Sequence, residues 1–357
     1  MSRFLVLCNA LIFGIVAYAA ILNTWYPDFA YFSVQEDEYL EWATFWGFAL
    51  ACVAYLSASV KQWRNSRSVP WFLFGVGLFC FVVAMEEISW GQRLLGYRPP
   101  AYFLEQNFQQ ELNFHNIVDT SYRKLALKLI ILLYGVALPL LGAFRLTGRL
   151  IERLGIVAPS IWLIPSFAAM AWIYHDYPWS YSGEWVEAMM ALGFLAAAMQ
   201  ADKPNRLTLR MGLTVAVVIA LGVTTGLMSR VLREGDPNVL KAAELEIEAL
   251  KRDFLSGKVK TRCNLHKRLF TFQQEYDQQY LQQGEFAALQ SQGLPEERAE
   301  FLIDPWNSPY WVRDRCVNGG DRRRVVFVYS FGPNRKRDSS HLEILGDDVG
   351  AYILLTR

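Results

Sequence analysis

Charge is scarce in this chain. Only 19% of its 357 residues are Asp, Glu, Lys or Arg, whereas 53% are hydrophobic and 15% aromatic. One large water-soluble domain needs more polar surface than that, so this class is excluded. Cysteine is sparse and unpatterned: there are five Cys, no CxxC, and no Cys/His spacing of the zinc-binding kind in the soluble part. The net charge is +1, and no basic face carries interleaved aromatics. Nucleic acid is therefore not an expected partner.

The apolar residues that fill the chain are bunched. Seven stretches approach or reach the length of about 20 helical residues that crosses a bilayer core of roughly 30 Å. They are Phe4–Leu22, Glu41–Val60, Val69–Ile88, Leu125–Phe144, Ile156–Tyr174, Glu184–Gln200 and Met211–Met228, the sixth being the shortest. Lipid offers no partner to open backbone groups, so each is predicted to be helical. The first begins with Arg3 and reads as a retained signal anchor.

Orientation follows the Lys and Arg residues. The connections "KQWRNSRS" (Lys61 to Ser68), "RLTGRLIERLG" (Arg145 to Gly155) and "ADKPNRLTLR" (Ala201 to Arg210) are basic. The alternate connections are not: "NTWYPDFAYFSVQEDEY" is acidic and "HDYPWSYSG" lacks Lys and Arg. Seven crossings put every basic connection on the cytoplasmic side and the carboxyl terminus outside. Trp25, Tyr26, Trp63, Trp71, Trp90, Trp172, Trp179 and Trp185 fall near segment ends, as an interfacial belt requires. Cys8, Cys52 and Cys80 lie inside apolar segments and read as small packing residues. Cys263 and Cys316 lie in the exported part, where a disulfide between them is permitted.

With that topology, the ionisable residues at membrane depth gather on the outer side. Glu86 and Glu87 end the third segment, and Glu86, Ser89, Trp90 and Arg93 are spaced to share one helical face. Glu111, His115 and Asp119 are four apart in turn, as on a fourth helix that starts near Asn113. His175 and Asp176 end the fifth segment, and Glu184 and Glu187 open the sixth. Charged groups at such depth are costly and usually face a bundle interior or a hydrated cavity. His115, His175 and Glu187, with Asp119, form a donor set for a divalent metal such as zinc. Glu86, Glu87, Ser89 and Arg93 would carry the chemistry, one Glu as general base and Arg93 on an anionic group. The competing reading is structural. Helix ends tolerate charge, acids at a helix start complement its dipole, and Glu86 could pair with Arg93.

The string "EEISWGQRLLGY…NFQQELNFHN" resembles a pattern of multi-pass bacterial membrane proteins. Seven segments with outward-facing Ser89, His115, Asp119 and His175 also look similar in kind to the seven-helix hydrolases that include the alkaline ceramidases. That resemblance implies an embedded zinc held by His, although the family's last-helix HxxxH pair has no counterpart between Met211 and Met228.

Beyond the seventh segment, Leu240, Ala243, Leu245, Ile247, Leu250 and Phe254 recur at helical spacing. A break is expected at Pro237, residues from about Cys263 to Phe301 read as mostly helical, and Val325 to Tyr329 alternates as a strand before the "FGPN" turn. Two motifs, "DPWNSPY" (Asp304 to Tyr310) and "YSFGPN" (Tyr329 to Asn334), with an acidic loop from Asp338 to Asp348, resemble the globular domain of type II secretion major pseudopilins. The resemblance implies one long helix on a short antiparallel sheet, a calcium loop with Asp338, Asp347 and Asp348 as ligands, and a pilin-like or envelope protein partner. No prepilin cleavage signature precedes the seventh segment.

The expected fold is thus a membrane all-α bundle of about seven transmembrane helices (1–229) followed by a periplasmic, pseudopilin-like α+β domain (230–357). The place is the bacterial inner membrane, and membrane lipid is an expected partner. The expected function is metal-assisted hydrolysis or transfer on a lipid-linked substrate. The alternative is a non-catalytic assembly subunit of an envelope or secretion complex.

Overall fold

The computed structural model describes residues 3–34, 38–95, 100, 102–103, 112–114, 117–179, 181–202, 207–234, 237–257, 265–269, 304, 306, 310–316, 324–333, 337–339 and 343–355. The chain forms two compact units, one of residues 1–90 and 118–228, the other of residues 91–117 and 229–357.

In the first unit the helices in chain order are α1 (Arg3–Trp25), α2 (Pro27–Ser33), α3 (Tyr39–Ser66) and α4 (Trp71–Glu87), with a short α5 (Gln92–Leu95) beyond it in the second unit. Then come α6 (Thr120–Leu132), α7 (Leu138–Ala143), α8 (Arg145–Arg153), α9 (Ile164–Asp176), α10 (Ser182–Asp202) and α11 (Leu207–Glu234). Helix α10 lies at the centre, and almost every side chain from Trp185 to Met199 is buried. Its small residues explain why. A Cβ added to Gly47 of α3 would come within 2.9 Å of the Ala191 methyl, and one added to Gly193 would meet the Phe167 ring of α9 at 2.9 Å. Small residues at helix contacts let backbones approach closely, which is what holds helices together where lipid removes the hydrophobic drive.

The contacts also set helix directions. Helix α11 runs against α3, since Gly222 faces Ala43 and Gly226 faces Tyr39. Helix α6 runs against α9, with Lys128 at His175 and Gly135 at Phe167. At one end of the bundle Trp71 Nε1 donates to the Leu154 carbonyl, Ser160 N donates to Gln200 Oε1 and Asn9 Nδ2 donates to the Trp162 carbonyl, at 2.7, 3.2 and 2.8 Å. The basic connections therefore gather at that end. The starts of α3, α6 and α10 and the ends of α4 and α9 gather at the other.

Four helices are long and apolar enough to cross a membrane: Arg3–Trp25, Tyr39–Ser66, Ser121–Ala143 and Thr208–Ser229. The other three expected segments form α4, α9 and α10, of 17, 13 and 21 residues. At about 1.5 Å per residue α4 spans about 26 Å. Helix α9 is short because residues 156–160 are not helical and Ile161–Leu163 form a 3-10 turn. Trp185, expected in the interfacial belt, is instead wholly buried, because α10 is covered on all sides. Trp25, Tyr26, Trp63, Trp71 and Trp172 are more than half exposed, as a belt requires. Cys8, Cys52 and Cys80 are buried thiols in the core.

Between α6 and α7 the chain widens to a π turn over Leu133–Ala137. Pro139 lacks the N–H that would close an α-helical bond back to Gly135, and a π turn results. Here Tyr134 stacks on Phe194 at 4.4 Å and hydrogen-bonds the buried Tyr55 hydroxyl.

In the second unit α12 (Pro237–Leu255) follows α11, residues 235–236 lying outside the described residues. Four antiparallel strands lie in the order β1 (Leu265–Arg268), β2 (Trp311–Cys316), β3 (Arg324–Ser330) and β4 (Val349–Leu355). The β1 segment was expected to be helical; it pairs with β2 as an edge strand, Leu265 opposite Asp314. Helix α12 packs on β3 and β4 through Ala243, Ile247, Leu250 and Phe254, while Leu240 and Leu245, expected on that face, are exposed. Val326 to Ser330 are buried on both faces of the sheet, since β3 is a central strand. A Glu246–Tyr310 hydrogen bond of 2.6 Å ties α12 to the residue preceding β2.

Gly135 is the tightest glycine contact in the bundle, an added Cβ meeting the Phe167 ring at 2.1 Å, whereas Gly75 has nothing within 4 Å. Gly135→Ala is expected to cost about 1–3 kcal/mol by overpacking and Gly75→Ala nothing. Thermal unfolding in detergent, followed by tryptophan fluorescence, checks this. Equal midpoints for the two variants would contradict the packing described.

Candidate functional site

Five glutamates from three helices meet at the end of the bundle away from the basic connections. Glu87, at the end of α4, lies within electrostatic reach of Glu187 and Glu184 on α10, of Glu41 on α3 and of Glu86. Glu187 also feels Arg123 of α6, and both are near Tyr174 of α9. All five carboxyl groups and Arg123 are half-buried. The geometry follows from helix direction. The acids sit in the first turn of α3, the first two turns of α10 and the last turn of α4, which the packing around α10 brings level.

The backbone beside the cluster is strained. Ser89, Trp90 and Gly91 take φ of 47°, 55° and 80° in succession. A left-handed conformation at a bulky Trp is rare, and such strain concentrates at functional positions. Of the five non-glycine residues with positive φ among those described, Ser89, Trp90, Tyr177 and Tyr181 lie at this end, leaving only Arg67 elsewhere. This turn also ends the helical face expected to carry Glu86, Ser89, Trp90 and Arg93. Helix α4 stops at Glu87, so the four do not share one helix, although Trp90 Nε1 donates to Glu86 Oε1 at 2.6 Å. Ser89 is buried at 1% exposure. The Arg93 side chain lies outside the described residues.

Two buried indole N–H groups, of Trp42 and Trp185, have no hydrogen-bond partner among the described residues. They adjoin Glu41 and Glu184 in sequence. Buried donors are almost always satisfied, so both call for an acceptor beyond the described residues.

Among the described residues, Asp119, His175 and Glu187 form no group at metal-ligand spacing. His175 is exposed, and its Nδ1 lies 3.3 Å from Lys128 Nζ; an ammonium only donates, so that nitrogen accepts from it. Asp119 is exposed and caps α6, accepting from the Ser121 amide at 2.8 Å and from the Ser121 hydroxyl. These bonds hold its carboxyl below the ordinary range. The helix begins at Thr120 rather than near Asn113, so Asp119 precedes it as its cap. His115 and Glu111 lie outside the described residues. Of the three described ligands, Glu187 joins the glutamate cluster. Among the described residues, that cluster does not reach the mutual spacing of metal ligands.

Glu41, Arg123, Trp42 and Tyr174 were not singled out in the sequence. The signal was present for Glu41 and Arg123, each in the first turns of a helix that starts at the outer end.

The second unit brings its expected ligands together. One carboxylate oxygen from each of Asp338, Asp347 and Asp348 lies within 4.8 Å of the others. Two glycines allow this. At Gly332 (φ 66°) a Cβ would lie 2.1 Å from the Asp347 carbonyl, and at Gly346 (φ 66°) one would meet the Asp338 carboxylate at 2.4 Å. Asp348 is 8% exposed; its Oδ2 accepts from Ser339 N at 2.8 Å, while Oδ1 is buried without a partner. Burial, with Asp338 nearby, raises its carboxyl above the ordinary range. Cation–oxygen distances of about 2.3–2.6 Å in calcium sites match three oxygens spread over this span. The two sequence motifs meet as well. Asp304 accepts from Trp306 N at 3.0 Å and from the Ser330 hydroxyl, which in turn accepts from Gly332 N at 2.9 Å. The pairing of Cys263 with Cys316 falls outside the described residues and side chains.

The chain matches no protein-family model, no curated protein and no solved structure.

Asp304 is 3% exposed and serves two donors at once. Asp304→Ala is expected to cost about 2–3 kcal/mol by orphaning them, seen as faster proteolysis of the C-terminal unit with the bundle unaffected. Unchanged proteolysis would remove the latch role.

Proposed function

We propose that this is a seven-crossing inner-membrane protein whose glutamate cluster, facing the periplasm, performs acid–base hydrolysis or group transfer on a lipid-linked substrate. The observation that carries the reading is the convergence of Glu41, Glu87, Glu184 and Glu187 with Arg123 beside a strained turn. The opposed ends of the bundle support the orientation: basic connections gather at one end and carboxyl groups at the other.

Glu87 takes a proton from water as the oxygen attacks the ester carbon or phosphorus. Glu187 returns a proton to the departing alkoxide. Arg123 holds an anionic, oxygen-rich headgroup. Lipid mass spectrometry of membranes from cells carrying wild type, a deletion, Glu87→Gln or Glu187→Gln tests the reading. The deletion and both variants are expected to accumulate one lipid-linked species, with turnover reduced by on the order of a hundredfold or more, the usual scale for loss of a general acid or base. A lipid profile in the variants equal to wild type would end the reading.

A second reading is favoured by the aspartate loop. In it the C-terminal unit is a pseudopilin-like module that joins an envelope or secretion complex once Asp338, Asp347 and Asp348 bind calcium. The donor set, three carboxylate oxygens, suits a hard cation. When bound, calcium supplies the charge that lets three acids share one loop. Calcium is expected to raise the unfolding midpoint of the wild-type C-terminal unit in the full chain and to leave Asp348→Asn unmoved. Equal shifts for both proteins would contradict this ligand set.

A further inference from the structure

We propose that α8 is an in-plane interfacial helix that binds anionic phospholipid headgroups through Arg145, Arg149 and Arg153. The proposal goes beyond the functional reading and rests only on the bundle's membrane character.

Helix α8 begins two residues after the apolar helix Ser121–Ala143 ends. The chain turns at Phe144, whose backbone is extended (φ −83°, ψ 137°). One side of α8 is seated on the bundle: Ile151 is 8% exposed, and a Cβ on Gly148 would lie 2.7 Å from the Gly142 carbonyl oxygen. The Leu154 carbonyl, just past its end, is held by Trp71 Nε1.

The rest of the helix faces outward as two adjacent stripes. Arg145, Arg149 and Arg153 recur every fourth residue and are all exposed. Leu146, Leu150 and Leu154 form the neighbouring stripe, 83%, 57% and 51% exposed. At about 100° per residue each stripe drifts slowly round the helix, so arginines and leucines stay side by side along its length. The only acid in α8 is Glu152. A surface helix exposing three leucines in a row to water has no stable place on a soluble protein. At a membrane border the same pattern fits, with leucines in the acyl boundary and arginines reaching the phosphates above.

The level agrees. Trp63, Trp71 and Trp162 sit at this end of the bundle and are 56%, 52% and 50% exposed, as indoles at headgroup depth are. Anionic lipid, rather than an acidic protein, follows from that continuity. The leucine stripe extends the bundle's own lipid-facing surface, and a soluble partner on the arginines would leave it in the bilayer regardless.

The test uses the full chain in nanodiscs of phosphatidylcholine, with or without phosphatidylglycerol. Native mass spectrometry counts the lipids that stay with the protein on release, and thermal unfolding reports stability. Three arginines at an anionic surface favour it by on the order of a hundredfold. Wild type is therefore expected to retain phosphatidylglycerol selectively, to unfold at a higher temperature in anionic discs, and to lose that increment at high salt. Arg145→Gln/Arg149→Gln/Arg153→Gln is expected to retain roughly tenfold less or lower still, and the corresponding triple Lys variant to keep the preference. Wild type indifferent to phosphatidylglycerol would overturn the proposal, as would a Gln variant that retains it fully. If the Gln variant fails to fold, the salt dependence of wild type and the Lys variant decide alone. Failure here would leave the glutamate reading untouched, because that site lies at the opposite end.

Discussion

The close approach of α3 and α9 to α10 is the constraint on which the membrane part depends. Ala191 and Gly193 leave room for Gly47 and Phe167, at spacings that a larger side chain would not permit. Once those contacts are made, the helix directions and levels follow. The first turn of α10 then stands beside the first turn of α3 and the last turn of α4. Glutamates scattered between positions 41 and 187 become neighbours as a consequence of packing between small residues far below them. That arrangement carries a cost, since like charges in partly desolvated surroundings repel.

The membrane character and the one-sided placement of Glu86, Glu87, Glu184 and Glu187 were legible in the sequence, because hydropathy and charge are local signals. The fate of the sixth segment was not. Its Ala, Gly and Met composition reads as a weak crossing, yet that composition is what lets α10 take the centre, with Trp185 buried rather than interfacial. Helix spacing misled where the chain leaves the helix. Ser89 to Gly91 turn left-handed, and Asp119 caps a helix that starts after it, so residues at three- and four-residue intervals do not share a face. Glu41 and Arg123 were overlooked because their significance lies in three-dimensional level, which follows only from helix direction.

The C-terminal unit was read more closely, and the reason is physical. Turn motifs such as "DPW" and "FG" dictate backbone geometry over a few residues, and their partners are near in the fold. Asp304 and Ser330 join the two motifs, and Gly332 and Gly346 admit the aspartates of the acidic loop to one another. The strand Leu265–Arg268 escaped notice because a short edge strand has little pattern of its own. Its pairing with β2 is long-range.

The claim on which the membrane reading turns is that the end of α4 and the start of α10 meet, on the outer face in the proposed orientation. In a chain with its five cysteines replaced by serine, Glu87→Cys combined with Glu187→Cys tests this most directly. Oxidation in intact cells is expected to link the two positions, and pretreatment with a membrane-impermeant thiol reagent to prevent it. Absence of any cross-link, or protection only after the cytoplasmic face is opened, would contradict a shared, outward-facing site.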